Sequence, residues 1–302
     1  MNHANPLFLT DKFPDEREDF LRTDLACESE RPCADSSEET VTVGGTPVTV
    51  TRRREMDGGR FVTLACGRIT ARGEGDLPEL SRLLAGELRR MACEMLGRQI
   101  RADARVLIVG LGNAHMTPDA IGPGTVRRLT VTRHLKACDK QLFEALGCCE
   151  LAALSPGVLG QTGMESGELV KCAAELTSPD LLVAVDALAA RSCDRLASTI
   201  QLSDSGISPG AGIGNHRMAI NRDTVGCPVL GLGVPTVVDS STLVLDALEK
   251  AGMGEGTLSP QMTEVLESGR SFIVSPRDSD EMVELTCRLL AKALDIAFGI
   301  GE

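Results

Sequence analysis

An α/β protein with a mainly parallel sheet covered on both faces is the fold class that three observations predict. Short apolar runs at residues 106–109, 181–185 and 229–233 read as buried strands. Stretches of helical periodicity stand between and after them. The chain of 302 residues is 42% hydrophobic and 25% charged, enough apolar material for a large core. Continuous apolar strands alternating with helices are the pattern of a sheet buried on both sides. In such sheets, sites form at the carboxyl ends of the strands.

The elements follow in order. Residues 1–38 are charged and non-periodic, end in Ser36-Ser37-Glu38-Glu39, and predict a flexible arm. Residues 40–43 and 48–52 alternate β-branched and polar side chains around Gly44-Gly45, a hairpin signal, and residues 61–65 offer a third strand. Over residues 77–96, Leu80, Leu83, Leu84, Leu88, Met91 and Leu96 share one helical face. The strand at 106–109 runs into a loop at 110–116, after which Thr117-Pro118-Asp119 predicts a helix start with Thr117 as N-cap and Pro118 in the first turn. A helix near 167–176, the strand at 181–185, the strand at 229–233, a helix near 240–251, a short strand at 272–274 and a long helix over 278–298 complete the reading.

Composition excludes several functions. Trp and Tyr are absent and seven Phe make up the 2% aromatic content, so base-stacking surfaces are missing. A formal charge of −12 repels phosphate backbones. Direct nucleic-acid binding is therefore disfavoured. Eleven Cys are scattered from Cys27 to Cys287 without a C-x-x-C pair, which predicts reduced thiols in a cytoplasmic protein, the adjacent Cys148 and Cys149 included. The start of the chain lacks the basic-then-apolar pattern of a secretory signal, and no apolar run approaches a membrane span.

Common catalytic signatures fail on physical grounds. Gly110 and Gly112 begin like a dinucleotide fingerprint, but His115 occupies the third glycine's place and blocks close helix packing. Gly206-Ile207-Ser208-Pro209-Gly210 matches G-x-S-x-G in letters only, because Pro209 has no N–H for an oxyanion. What remains is a pair of acids. Asp119 follows the loop after the first buried strand, and Asp186 follows the strand at 181–185. On neighbouring strands, both reach one sheet edge, where two close carboxyls share a proton and serve as acid and base. The bland alternative has Asp119 favouring a helix N-terminus and Asp186 capping its own segment. Asn113, His115 and the glycine-rich loop with Asn215, His216 and Arg217 supply candidate donors for a substrate backbone or an oxyanion. Asp239 reads as the N-terminal acid of the next helix, and His134 as a loop-orienting residue. Histidines beside carboxylates also leave a metal hydrolase open.

The ordered runs Arg22-Thr23-Asp24-Leu25-Ala26, Val109-Gly110-Leu111-Gly112-Asn113, Thr117-Pro118-Asp119-Ala120-Ile121-Gly122-Pro123, Val131-Thr132-Arg133-His134-Leu135, Asp186-Ala187-Leu188-Ala189-Ala190-Arg191 and Gly233-Val234-Pro235-Thr236-Val237-Val238-Asp239 resemble the germination protease of spore-forming bacteria. The resemblance implies an endopeptidase that starts degradation of small acid-soluble spore proteins, made as an inactive homotetrameric zymogen in the forespore and acting in the spore core. It implies a three-layer α/β/α sandwich with a mixed, mainly parallel sheet, like that of hydrogenase maturation endopeptidases and hydrolase-like in layout, with the N-terminal hairpin as an elaboration. It places the catalytic pair on Asp119 and Asp186 and self-processing between Asp24 and Leu25. Residues 1–24 are then a propeptide and residues 25–302 a single peptidase domain. No cofactor is implied, a divalent metal being the alternative by analogy with the hydrogenase enzymes, and a non-catalytic binder of spore proteins the other. The sequence departs from the family at Ala114-His115-Met116 and at His216.

Overall fold

In the computed structural model, residues 23–28, 32–210, 217–252, 259, 261–262, 264–265 and 272–300 are described. Their strands lie in the order β1-β2-β3-β7-β8-β6-β4-β5, with β9 added beside β8. The sheet has two halves. β5 (Glu150–Leu154), β4 (Arg105–Gly110), β6 (Leu181–Ala189) and β8 (Val229–Asp239) run parallel. From β8 outward, β7 (Thr199–Ser203), β3 (Arg60–Ala65), β2 (Thr46–Glu55) and β1 (Cys33–Val43) alternate in direction. β9 (Ile273–Val274) pairs antiparallel with the end of β8. The expected N-terminal hairpin joins the main sheet through β3 and β7.

One face is covered by α1 (Asp76–Leu96) and the last helix (Ser279–Phe298), with Val50, Leu64, Ile108, Val183, Leu232 and Leu290 in one continuous core. Their mutual contact is pinned by Ser81 Oγ donating to the Leu289 carbonyl at 3.2 Å and Arg89 Nη1 to the Ala297 carbonyl at 2.6 Å. The short α2 (Ile121–Val126) lies under the last helix. Between β4 and β5 come α3 (Arg133–Cys138) and α4 (Lys140–Leu146). On the opposite face, after the short α5 (Leu159–Thr162), α6 (Ser166–Thr177) and α7 (Arg222–Val225) stand over the parallel half, where Val170 and Val225 pack with Leu107, Val109 and Leu182. Completing the chain order, α8 (Ser240–Lys250) follows β8 and the last helix is α9.

Several expectations are corrected. Residues 33–38 are the outer half of β1, paired to β2 from Cys33 opposite Glu55, and residues 23–28 pack onto the sheet, so neither stretch belongs to a flexible arm. Residues 1–22 lie outside the described residues. Thr117 is not a helix N-cap: Thr117–Asp119 forms a single 3-10 turn, the Thr117 hydroxyl donates to Asp280 at 2.9 Å, and the α-helix starts at Ile121. Proline at the second place fixes that turn but the glycines behind it continue the helix only after a break. Asp239 does cap α8, accepting from the Ser241 and Thr242 amides. Gly206 to Gly210 is a loop, with Gly206 at φ 83°. All eleven cysteines are free thiols. Among the described residues, no helix is long and apolar enough to cross a membrane.

Candidate active site

Asp119 reaches the carboxyl end of the parallel strands because the backbone around it is stripped of side chains. Gly112 adopts φ 110°, and a Cβ there would stand 2.1 Å from the Asp119 carbonyl oxygen and 2.9 Å from its Oδ1. A Cβ on Gly122 would stand 2.2 Å from the Leu111 oxygen and 2.6 Å from that of Val185. The glycines that began like a nucleotide fingerprint thus let the turn carrying Asp119 lie directly against β4 and β6. Thr236 Oγ1 donates to the Pro118 carbonyl at 2.7 Å and ties the same turn to β8.

Asp119 Oδ2 accepts the Asn113 amide at 2.7 Å. The Asn113 side chain points its oxygen elsewhere, accepting from the His115 amide at 2.9 Å and from Gln161 Nε2 at 2.7 Å, so it orders the loop. Burial pushes the Asp119 carboxyl up, while the Asn113 N–H and the Arg217 charge pull it down. Asp186 differs. β6 continues three residues past it, which places it inside the strand, opposite Gly233 of β8. It is only 5% exposed, and its Oδ1 accepts the Ala187 amide at 2.9 Å. Burial lifts its pKa well above the carboxylate range, and the charges of Asp119 and Asp24 lift it further; the Ala187 N–H and Arg217 oppose them.

Both acids line a cleft of about 530 Å³, with Asn113, Arg217 and Thr236 on its walls. Asp24 also enters it. The segment at residues 23–28 lies along the end of β6 and β7, on the sheet face turned away from α1 and α9. The Asp24 amide donates to the Ala189 carbonyl at 2.9 Å, and Asp24 Oδ2 accepts the Ala189 amide at 2.8 Å. Leu25, 1% exposed, sinks into a small cluster with Leu188, Ala190 and Val238. Gln201 brackets the next stretch, Nε2 donating to the Asp24 carbonyl at 2.9 Å and Oε1 accepting the Ala26 amide at 2.7 Å. Arg53 Nη1 donates to the Ala26 carbonyl at 3.1 Å, and the Glu28 carboxylate accepts the Arg191 and Ser192 amides at 2.7 and 3.0 Å.

Of the residues anticipated from sequence, Asp119, Asp186, Asn113, Arg217 and Asp24 meet at this cleft. His115 is exposed and contributes its backbone amide to the loop rather than a wall of the cleft. Asn215 and His216 lie outside the described residues. Among the described residues, no group of three His, Cys, Asp or Glu is disposed to hold a metal ion. Gln201 was not anticipated, although the alternation Thr199, Ile200, Gln201, Leu202, Ser203 marks a strand with one polar face.

Residues 28–251 match the family model described as germination protease. The germination protease of Clostridium perfringens is 37% identical over 266 residues, covering 79% of this chain and 78% of that protein. That of Caldanaerobacter subterraneus subsp. tengcongensis is 32% identical over 93% of this chain and 95% of its own length. Among solved structures, a NiFe hydrogenase maturation protease from Thermococcus kodakarensis aligns over 64% of this chain and 93% of its own, at 16% identity and a TM-score of 0.34.

Proposed function

The chain belongs to the germination protease family and is a peptidase, and from that premise we propose that it is an aspartate-dyad endopeptidase that processes itself between Asp24 and Leu25 and then cuts small acid-soluble spore proteins. The observation that carries the dyad is the unequal setting of two carboxyls in one cleft: Asp186 buried and pushed strongly toward its neutral form, Asp119 half-buried with an amide and an arginine favouring its charge. Environments that separate two acids in this way assign their roles. Asp119 takes a proton from water, and the hydroxide adds to the scissile carbonyl carbon. Protonated Asp186 hydrogen-bonds the carbonyl oxygen as charge gathers on it. Collapse of the tetrahedral intermediate breaks the C–N bond, with the proton held by Asp119 passing to the leaving nitrogen.

Support for self-processing is the position of Asp24 at the cleft and the seating of Leu25 beside it. The homotetramer, the spore-core location and the identity of the substrates rest on family membership. The reading is tested by incubating purified full chain and following its mass, alone and with a small acid-soluble spore protein. Wild type is expected to lose residues 1–24 and to cut the added protein, whereas Asp119→Asn and Asp186→Asn stay whole and cut nothing. Asp24→Ala is expected to remain unprocessed. Either Asn variant cutting at the wild-type rate would sink the dyad.

A further inference from the structure

We propose that Gln201 is a catalytic residue of this site, a carboxamide that grips substrate main chain on both sides of the bond to be cut and donates to the oxygen on which charge develops. The inference rests on the reading above that the Asp24–Leu25 bond is cleaved. The oxygen that Nε2 meets at 2.9 Å is the carbonyl of Asp24, which belongs to that bond. A donor at this distance, fixed before reaction, is what an oxyanion needs. The other end of the same carboxamide accepts the Ala26 amide at 2.7 Å, two residues further on. Both contacts are to backbone, so they fix register without reading side chains.

Register explains how the carboxamide comes to stand near the acids. Asp186 on β6 is opposite Gly233 on β8, and Gly233 is opposite Gln201 on β7. All three fall on the face turned away from the core of Val183, Leu202 and Leu232. Asp186 and Gln201 are thus two strand spacings apart, about 10 Å between backbones, with a glycine between them. Gly233 supplies no side chain, and the Leu188 side chain already occupies the place of its Cβ, 2.4 Å away. Leu188 thus fills the space over Gly233 between acid and amide, and Leu25 of the crossing segment packs against it.

Among the described residues, the carboxamide has no second employment. Gln201 is 6% exposed, and its carboxamide hydrogen-bonds the Asp24 and Ala26 main chain. A buried amide needs both ends paired. When cleavage releases Asp24, Nε2 loses its acceptor, and the carbonyl of an incoming substrate replaces it. Thr63 stands opposite Gln201 on β3 and continues the row.

The test uses the full chain and follows appearance of the product that begins at Leu25. Gln201→Ala is expected to slow processing by about 100-fold, the scale of removing one oxyanion donor, with a thermal midpoint close to wild type. Gln201→Glu, which keeps the acceptor and loses the donor, is expected to be slowed comparably. In an Asp186→Asn background, which keeps the chain whole, Gln201→Ala is expected to speed hydrogen exchange at the Ala26 amide. Processing of Gln201→Ala within about threefold of wild type, small against that scale, overturns the proposal and leaves the dyad standing. A wild-type chain cut elsewhere, or not at all, overturns the cleavage-site reading and the role of Gln201 with it; loss of cutting in Asp186→Asn alone separates the two.

Discussion

Asp186 is held where a carboxylate is expensive, 5% exposed and facing the charges of Asp119 and Asp24. Its raised pKa has a consequence for stability as well as for catalysis. An acid whose folded pKa lies above its unfolded value supports the fold fully below the unfolded value, and that support is lost as the pH rises toward the folded one. Asparagine at this place keeps an oxygen for the Ala187 amide and never ionises. Asp186→Asn is therefore expected to be inactive yet more heat-stable than wild type, with a gap that widens as the pH rises from about 4, by at most ~1.4 kcal/mol per pH unit. Scanning calorimetry of both chains from acid to neutral pH checks this. A gap that narrows with rising pH contradicts the assignment of Asp186 as the protonated partner. Asp119→Asn should show a smaller gap, since Arg217 and the Asn113 amide already favour its charged form.

The turn between β4 and α2 converts glycine spacing into the position of an acid. Replacing Gly112 by Ala forces a Cβ against the Asp119 backbone at φ 110°, which should cost at least about 1–3 kcal/mol and abolish cutting. Gly86, on the exposed side of α1 with nothing within 4 Å of its would-be Cβ, gives the opposite sign: Ala there should stabilise by roughly 0.5–1 kcal/mol and leave activity unchanged. Urea unfolding of the two variants separates them. The elements most legible in the sequence were those with strong periodicity or dense apolar runs, namely α1, α9, β4, β6 and β8. β7 escaped because Thr199, Gln201 and Ser203 interrupt its apolar residues, and their polarity belongs to the face that holds residues 23–28. The outer half of β1 escaped because it is exposed along residues 33–40 and gains its strand conformation from β2 alone. β5 is five residues with two Ala, too short and too weak in β-propensity to stand out. The acids were legible from their positions after strands, whereas the contact of the Gln201 carboxamide with the Asp24 and Ala26 main chain depends on where the chain folds back, which local pattern does not encode.

The two halves of the sheet differ in strand direction but share one hydrophobic core, which runs from Val43 and Val50 through Leu202 and Leu232 to Leu294 and Phe298. α1 and α9 lock together across it, so neither half can expose its inner face without opening the other. A chain built in this way should unfold as one unit over the described residues. The absence of Trp and Tyr removes the usual fluorescent reporters, and the cysteines replace them. Cys66 lies fully buried at the end of β3 in the antiparallel half, and Cys287 lies 1% exposed on α9 against α2 beside the parallel half. Burial pushes both thiols up to about 11, so each is inert while its surroundings stay folded. Pulsed alkylation across a urea series, resolved by peptide mass, should give the two sites a common midpoint that coincides with the loss of far-ultraviolet dichroism. Labelling of Cys66 at clearly lower urea than Cys287 would instead mean that the hairpin half opens separately, releasing β7, and with it Gln201, from the strands that carry the acids. A shared midpoint keeps the acid, Gly233 and the carboxamide in one cooperative unit, the condition under which a row set by strand register can hold a substrate backbone in place.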